Sequence, residues 1–153
     1  MFQSTKTWGH EIGLSCCFRQ WGAESHCRLL HGYAISVKLK FAATHLDHNN
    51  WVMDFGGLKP IKALLEKTFD HKLVVARNDP KANLLASLAQ EGVAEIVWLE
   101  STGCEAFARH IGLLTQQWLN DHQTNAEYRR VWVHSCEIRE HGANSAIWIQ
   151  DRL

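Results

Sequence analysis

The sequence predicts an α+β fold, an antiparallel sheet with its helices packed on one face. Three observations predict it. Alternation of apolar and polar residues marks both ends of the chain, over about 5–18, 30–43, 129–139 and 145–151. Helical periodicity is confined to the middle, where Leu58, Ile61, Leu65 and Phe69 form one stripe and Phe107, Ile111, Leu114 and Trp118 another. No linker, repeat or low-complexity tract interrupts the pattern, so residues 1–153 read as a single domain.

The elements follow in order. Along the first strand Ile12, Leu14, Cys16 and Phe18 share a face, because side chains two apart point the same way. Residues 19–29 form a loop, and the second strand starts at about 30. His45-Leu46-Asp47-His48-Asn49-Asn50 is a polar turn, and Pro60 suits the first turn of the helix that follows, where a missing N–H costs nothing. Asp54 reads as a structural cap for this helix. Asn78-Asp79-Pro80 is a turn leading into a short helix over about 81–91. A strand over 94–100, a helix over 105–119 and the last two strands complete the chain. Gly142 and Asn144 suit the final turn because both tolerate positive φ.

Composition narrows the function. The formal net charge is zero, which argues against a nucleic-acid or membrane-surface binder, since either needs a basic excess. No apolar run approaches the ~20 residues of a membrane span, and the N-terminus lacks the apolar core of a signal peptide. A cytoplasmic location is expected. Five cysteines, with Cys16 and Cys17 adjacent, read as free thiols, ligands or nucleophiles rather than a disulfide framework. Seven tryptophans are a high count, which favours aromatic surfaces that pack between subunits.

The chemistry is concentrated in Ser25-His26-Cys27-Arg28-Leu29-Leu30-His31-Gly32-Tyr33, which supplies a thiol, two imidazoles and a phenol. His31 and Tyr33 share a strand face, with Cys27 just upstream in the loop. A metal site or a thiol-dependent active site can be built from these parts.

This segment is similar to the Cys-x-x-x-His-Gly-His block of the 6-pyruvoyl-tetrahydropterin synthase / 6-carboxy-tetrahydropterin synthase family. Trp51-Val52-Met53-Asp54-Phe55-Gly56-Gly57-Leu58-Lys59 resembles its Asp-Phe-x-x-Leu-Lys block, and Phe69-Asp70-His71-Lys72 its Leu-Asp-His block. Glu137-Ile138-Arg139-Glu140 with Ala146-Ile147-Trp148 resembles its C-terminal strand pair, and Thr102-Gly103-Cys104-Glu105 its Thr-x-Glu motif with one extra residue. The blocks fall in the family's order along nearly the whole chain.

The resemblance implies the tunnelling fold: a four-stranded antiparallel sheet with two long helices on one face, β-β-α-α-β-β, here with a small insertion. It implies a homo-oligomer, usually a hexamer of two stacked trimers, with the active site at a subunit interface. The implied substrate is a pterin, 7,8-dihydroneopterin triphosphate, converted by a lyase to a 6-carboxy or 6-pyruvoyl tetrahydropterin. The 6-carboxy branch feeds 7-deazaguanine and queuosine synthesis, and the short chain and the Cys27–His31 spacing favour it. Cys27 matches the family's catalytic thiol, and Asp70 with His71 the pair that assists proton transfer. Glu140 matches the glutamate that holds the pterin edge, and Thr102 and Glu105 the helix-start substrate contacts.

The family binds zinc through three histidines, one on the first strand and two in His-x-His. Here Tyr33 replaces the second of that pair, and Cys16 or Phe18 falls at the first-strand place. The zinc ligands expected are His31 and Cys16, with Tyr33 or His26 as further candidates, because thiolate and imidazole are good zinc donors and phenylalanine is none. A different metal, or a site that has lost its metal in a pterin- or purine-binding paralogue without the usual activity, are the alternatives.

Overall fold

The computed structural model describes residues 1–122 and 129–151. Seven strands and three α-helices lie wholly within those residues. The sheet is organised around β3 (His31–Ala43). β1 (Phe2–Trp8) pairs antiparallel with the later half of β3, Phe2 opposite Ala43 and Trp8 opposite Val37. β2 (Leu14–Phe18) pairs with its earlier half, Leu14 opposite Ile35 and Phe18 opposite His31. β6 (Val131–His141) runs antiparallel along the other edge of β3, and β7 (Asn144–Ile149) follows it.

The single strand expected over 5–18 is therefore two strands. A 3-10 turn at His10–Ile12 breaks it, and Gly13 follows with φ 77°, a backbone conformation that glycine adopts without strain. Ile12 is thrown out of the expected face and is exposed, while Leu14, Cys16 and Phe18 stay buried on it.

A four-stranded antiparallel sheet is likewise too simple. The strand order is β5-β4-β2-β3-β6-β7, with β1 also on β3, and the sheet is mixed. β4 (Lys72–Ala76) lies parallel to β2 on one side and to β5 (Ile96–Leu99) on the other. Leu73-Val74-Val75-Ala76 is a continuous buried run, as expected of a strand covered on both faces, so it carries no alternation to reveal it. α1 (Lys59–Phe69) and α3 (Cys104–Asp121) cover one face, where Phe69 and Phe18 pack against Phe107 at ring separations of 5.2 and 5.0 Å. α2 (Ala82–Gln90) covers the other face above Leu73 and Val75, so the helices are not confined to one side. On α3 the buried stripe runs through Phe107, Ala108, Ile111, Gly112, Thr115 and Leu119, with Leu114 and Trp118 only half-buried. No helix among the described residues is long and apolar enough to cross a membrane.

The last hairpin turns at Gly142-Ala143, but neither Gly142 nor Asn144 takes a positive φ. Side chains close it instead: the Ala143 N–H donates to His141 Nδ1 (3.2 Å) and Arg139 Nη1 donates to the Gly142 carbonyl (3.3 Å). Asp54 behaves as expected, accepting from the Gly56 N–H at 2.8 Å at the head of the turn before α1.

Two features of the fold carry predictions. Gly32 lies against the backbone of Cys16 and Cys17, and a Cβ there would overlap the Cys16 carbonyl oxygen. Because that neighbour is backbone in a paired strand, Gly32→Ala is expected to cost about 1–3 kcal/mol, read by urea unfolding. The second is a buried ion pair. Arg19 and Asp79 meet through two hydrogen bonds, Nε to Oδ2 at 2.7 Å and Nη2 to Oδ1 at 2.6 Å. Those bonds, with the Lys81 N–H, hold the Asp79 carboxyl below the usual carboxylate range against the opposing effect of burial. A group whose folded pKa is depressed adds stability that is present above its unfolded value of about 3.9 and is lost as pH falls from there through the lower folded value. Asp79→Asn is expected to flatten the fall of stability below about pH 4, as measured by thermal unfolding across an acid series.

Candidate active site

The ladder between β2 and β3 sets the site. Because Phe18 pairs with His31 and Cys16 with Tyr33, all four side chains rise on the α3 side of the sheet. The rings of Phe18, His31 and Tyr33 form a triangle, with centroid separations of 4.8, 5.8 and 6.3 Å. His141, at the end of β6, adds a fourth ring 5.9 Å from Tyr33. His31 Nδ1 lies 2.8 Å from the Leu29 carbonyl. A carbonyl only accepts, so Nδ1 carries the proton in that bond and Nε2 is the nitrogen left to face the site.

Polar groups close round this triangle. The Cys104 thiol, buried at the head of α3, donates to the Glu140 carboxylate. Burial, reinforced by the negative charges of Glu140 and Glu105, pushes that thiol up to about 12. Burial pushes the Tyr33 phenol up, with Glu140 next in effect and Cys27 and Cys104 after it, so all three groups lie within electrostatic reach of the phenol. Cys27 itself is half-buried in a 3-10 turn, His26–Arg28, capped by Ser25, whose hydroxyl accepts from the Cys27 N–H at 3.3 Å. The structure therefore gathers Cys27, Glu140, His31, Tyr33 and Cys16 of the residues expected from the sequence.

Others lie elsewhere. Asp70 and His71 form their pair, Oδ1 to Nδ1 at 2.6 Å, but the His71 side chain is 87% exposed. His71 takes φ 55°, and its N–H donates to the Ser15 carbonyl at 2.7 Å. It borders an open cleft of about 540 Å3 whose lining includes Cys16, Cys17, Tyr33 and Leu88. Thr102 spends its hydroxyl on the Arg19 carbonyl at 2.6 Å. Glu105 is exposed, and its neighbour Cys104 holds the place beside Glu140. His26 is exposed in the Cys27 turn. Reasoning from sequence missed Cys104 and His141. Cys104 stands inside the quoted Thr102–Glu105 motif, and its helical phase with Phe107 and Ala108 was the available signal.

The zinc set implied by the resemblance does not fit these residues within one chain. Among the described residues no group of three or more His, Cys, Asp or Glu side chains could hold a metal ion. Phe18, fully buried, occupies the ladder place opposite His31. Cys16 faces Tyr33 instead, and burial, with the adjacent Cys17, pushes its thiol up to about 12. The triangle offers one imidazole and two rings that are poor ligands or none.

The sequence matches the family described as 6-pyruvoyl tetrahydropterin synthase over residues 9–148, and the chain belongs to that family. No curated protein matches the sequence. Among solved structures, an uncharacterized protein from Wolinella succinogenes superposes with a TM-score of 0.80 at 18% identity, covering 98% of each chain. The 6-pyruvoyl tetrahydropterin synthase of Plasmodium falciparum superposes at 0.63 with 16% identity, covering 97% of this chain and 98% of that one. The Caenorhabditis elegans enzyme superposes at 0.54 with 14% identity, covering 98% and 94%.

Proposed function

We propose that the chain is a lyase of the 6-carboxy-tetrahydropterin synthase type, acting on 7,8-dihydroneopterin triphosphate in the 7-deazaguanine and queuosine route. The observation that carries this reading is the grouping of Cys27, Tyr33, His31 and Glu140 at one end of the β2–β3 ladder. In it, the Glu140 carboxylate accepts from the amino and N–H edge of the pterin, and the ring lies against the aromatic triangle. Cys27 takes a proton from the substrate side chain as thiolate. Asp70 orients His71 through its Nδ1, leaving Nε2 free to exchange a proton. Because His71 is outward-facing, it serves the site of a second subunit in an edge-to-edge homo-oligomer of the hexamer type. The open edges of β1 and β7, with Phe2, Ile147 and Ile149 exposed beside them, support such joining. No step of this reading runs through a metal.

Incubation with 7,8-dihydroneopterin triphosphate and product analysis by mass spectrometry tests it. A 6-carboxy product supports the reading, a 6-pyruvoyl product moves the chain to the other branch, and no product with either sinks the lyase assignment. One observation favours a second reading, a pterin-binding paralogue without lyase activity: Tyr33 stands where the family resemblance implies a zinc histidine, and Cys16 or Phe18 stands at the first-strand one. Tight binding of 7,8-dihydroneopterin without turnover of the triphosphate is the result that selects it.

A further inference from the structure

We propose that Arg19, held by Asp79, is a positioning residue for the Cys27 thiol. The inference rests on the reading of Cys27 as the reactive thiol, and its geometry stands apart from that reading.

The Cys27 turn has no buried residue, so apolar packing does not fix it. Two hydrogen bonds fasten it to the end of β2. Arg19 Nη1 donates to the Arg28 carbonyl at 3.1 Å, and the Gln20 N–H donates to the Cys27 carbonyl at 2.9 Å. Arg19 is itself fixed on two further sides. Its Nε and Nη2 grip Asp79, a residue 5% exposed whose Oδ1 also accepts from the Lys81 N–H at 2.7 Å. Its carbonyl accepts from the Thr102 hydroxyl at 2.6 Å. Arg19 thus joins three segments that are distant in sequence: its guanidinium ties the turn bearing Cys27 to the approach to α2, and its carbonyl ties in the approach to α3.

The arrangement uses properties that lysine lacks. A guanidinium is a rigid planar fork, so two donors can engage a carboxylate while a third points at a carbonyl on the other side. An ammonium can pair with Asp79 but cannot hold both partners in that fixed plane. Arg19→Lys therefore keeps the ion pair and gives up one of the turn's two ties, leaving the Gln20 N–H on the Cys27 carbonyl, which separates positioning from support of the fold. The lost tie matters to chemistry because misplacement by about 1 Å can cost on the order of 100-fold in rate.

The test compares native protein, Arg19→Lys and Asp79→Asn. Alkylation by iodoacetamide is followed at Cys27 and Cys17 separately by peptide mass spectrometry, alongside thermal unfolding. Cys17 is half-buried on the α2 side and reports general loosening. The expected result is several-fold faster alkylation of Cys27 in Arg19→Lys, with Cys17 unchanged and the unfolding temperature close to native. Asp79→Asn should show the same selectivity when read well below its own unfolding temperature. With the triphosphate substrate, kcat should fall about 10- to 100-fold with KM nearly constant. Native alkylation at Cys27, or parallel acceleration at Cys17 and Cys27, overturns the proposal. Retained turnover in Cys27→Ala would instead remove the catalytic reading of the thiol, and the alkylation comparison would still decide whether Arg19 places it.

Discussion

Cys27→Ala is expected to lower turnover of 7,8-dihydroneopterin triphosphate by at least about 100-fold, the usual size of a lost general base. Its effect on pterin affinity should be small. The thiol lies within electrostatic reach of Tyr33, whereas the proposed reading assigns ring recognition to Glu140 and the rings. Stability should also change little, since no residue of the turn is buried and its ties run through backbone carbonyls that alanine keeps. Three measurements check this: initial rates, calorimetric titration with 7,8-dihydroneopterin, and thermal unfolding. Cys27→Ser sharpens the comparison, because a hydroxyl fills the same space and ionises far less readily than a thiol; it should resemble Cys27→Ala. Turnover retained in both variants removes Cys27 from the chemistry.

How far the sequence could be read depends on which physical signal each residue leaves. α1, α2 and the middle of β3, from Val37 to Phe41, are legible because each has one buried face, and a buried face writes its period into the chain. β4 is covered on both faces, so Leu73-Val74-Val75-Ala76 shows no period and was passed over; with it went the mixed character of the sheet. Gly13 splits the first strand through a left-handed φ that alternation cannot register. Among the candidate site residues, Cys27, the Asp70–His71 pair and Glu140 carry recognisable spacing. Cys104 does not, because its role depends on which side of α3 meets β6, and a one-residue insertion before the helix turned attention to Glu105 instead. The positive φ of His71 was likewise hidden. It is the conformation of a residue just past the end of α1 whose imidazole is 87% exposed.

Glu140→Gln should weaken binding of 7,8-dihydroneopterin by roughly 10- to 100-fold, since a hydrogen bond to a charged group contributes about 1.5–3 kcal/mol. The amide keeps the shape and one acceptor, so Cys104 can still donate to it. It also turns an N–H toward the donor edge of the pterin, leaving two donors face to face. A second readout needs no ligand. Burial is the main cause of the raised Tyr33 phenol, and the negative charge of Glu140 is the next. A neighbouring anion disfavours phenolate, so neutralising it must move the Tyr33 titration down, while burial keeps it above its ordinary value. Ultraviolet titration of tyrosinate in native protein, Glu140→Gln and Tyr33→Phe isolates that residue. A downward shift with weakened binding places Glu140 beside both the phenol and the pterin. An unchanged Tyr33 titration would contradict the electrostatic reach of Glu140 to the phenol, whereas a shift with full affinity would leave that reach intact and move the pterin edge to another acceptor.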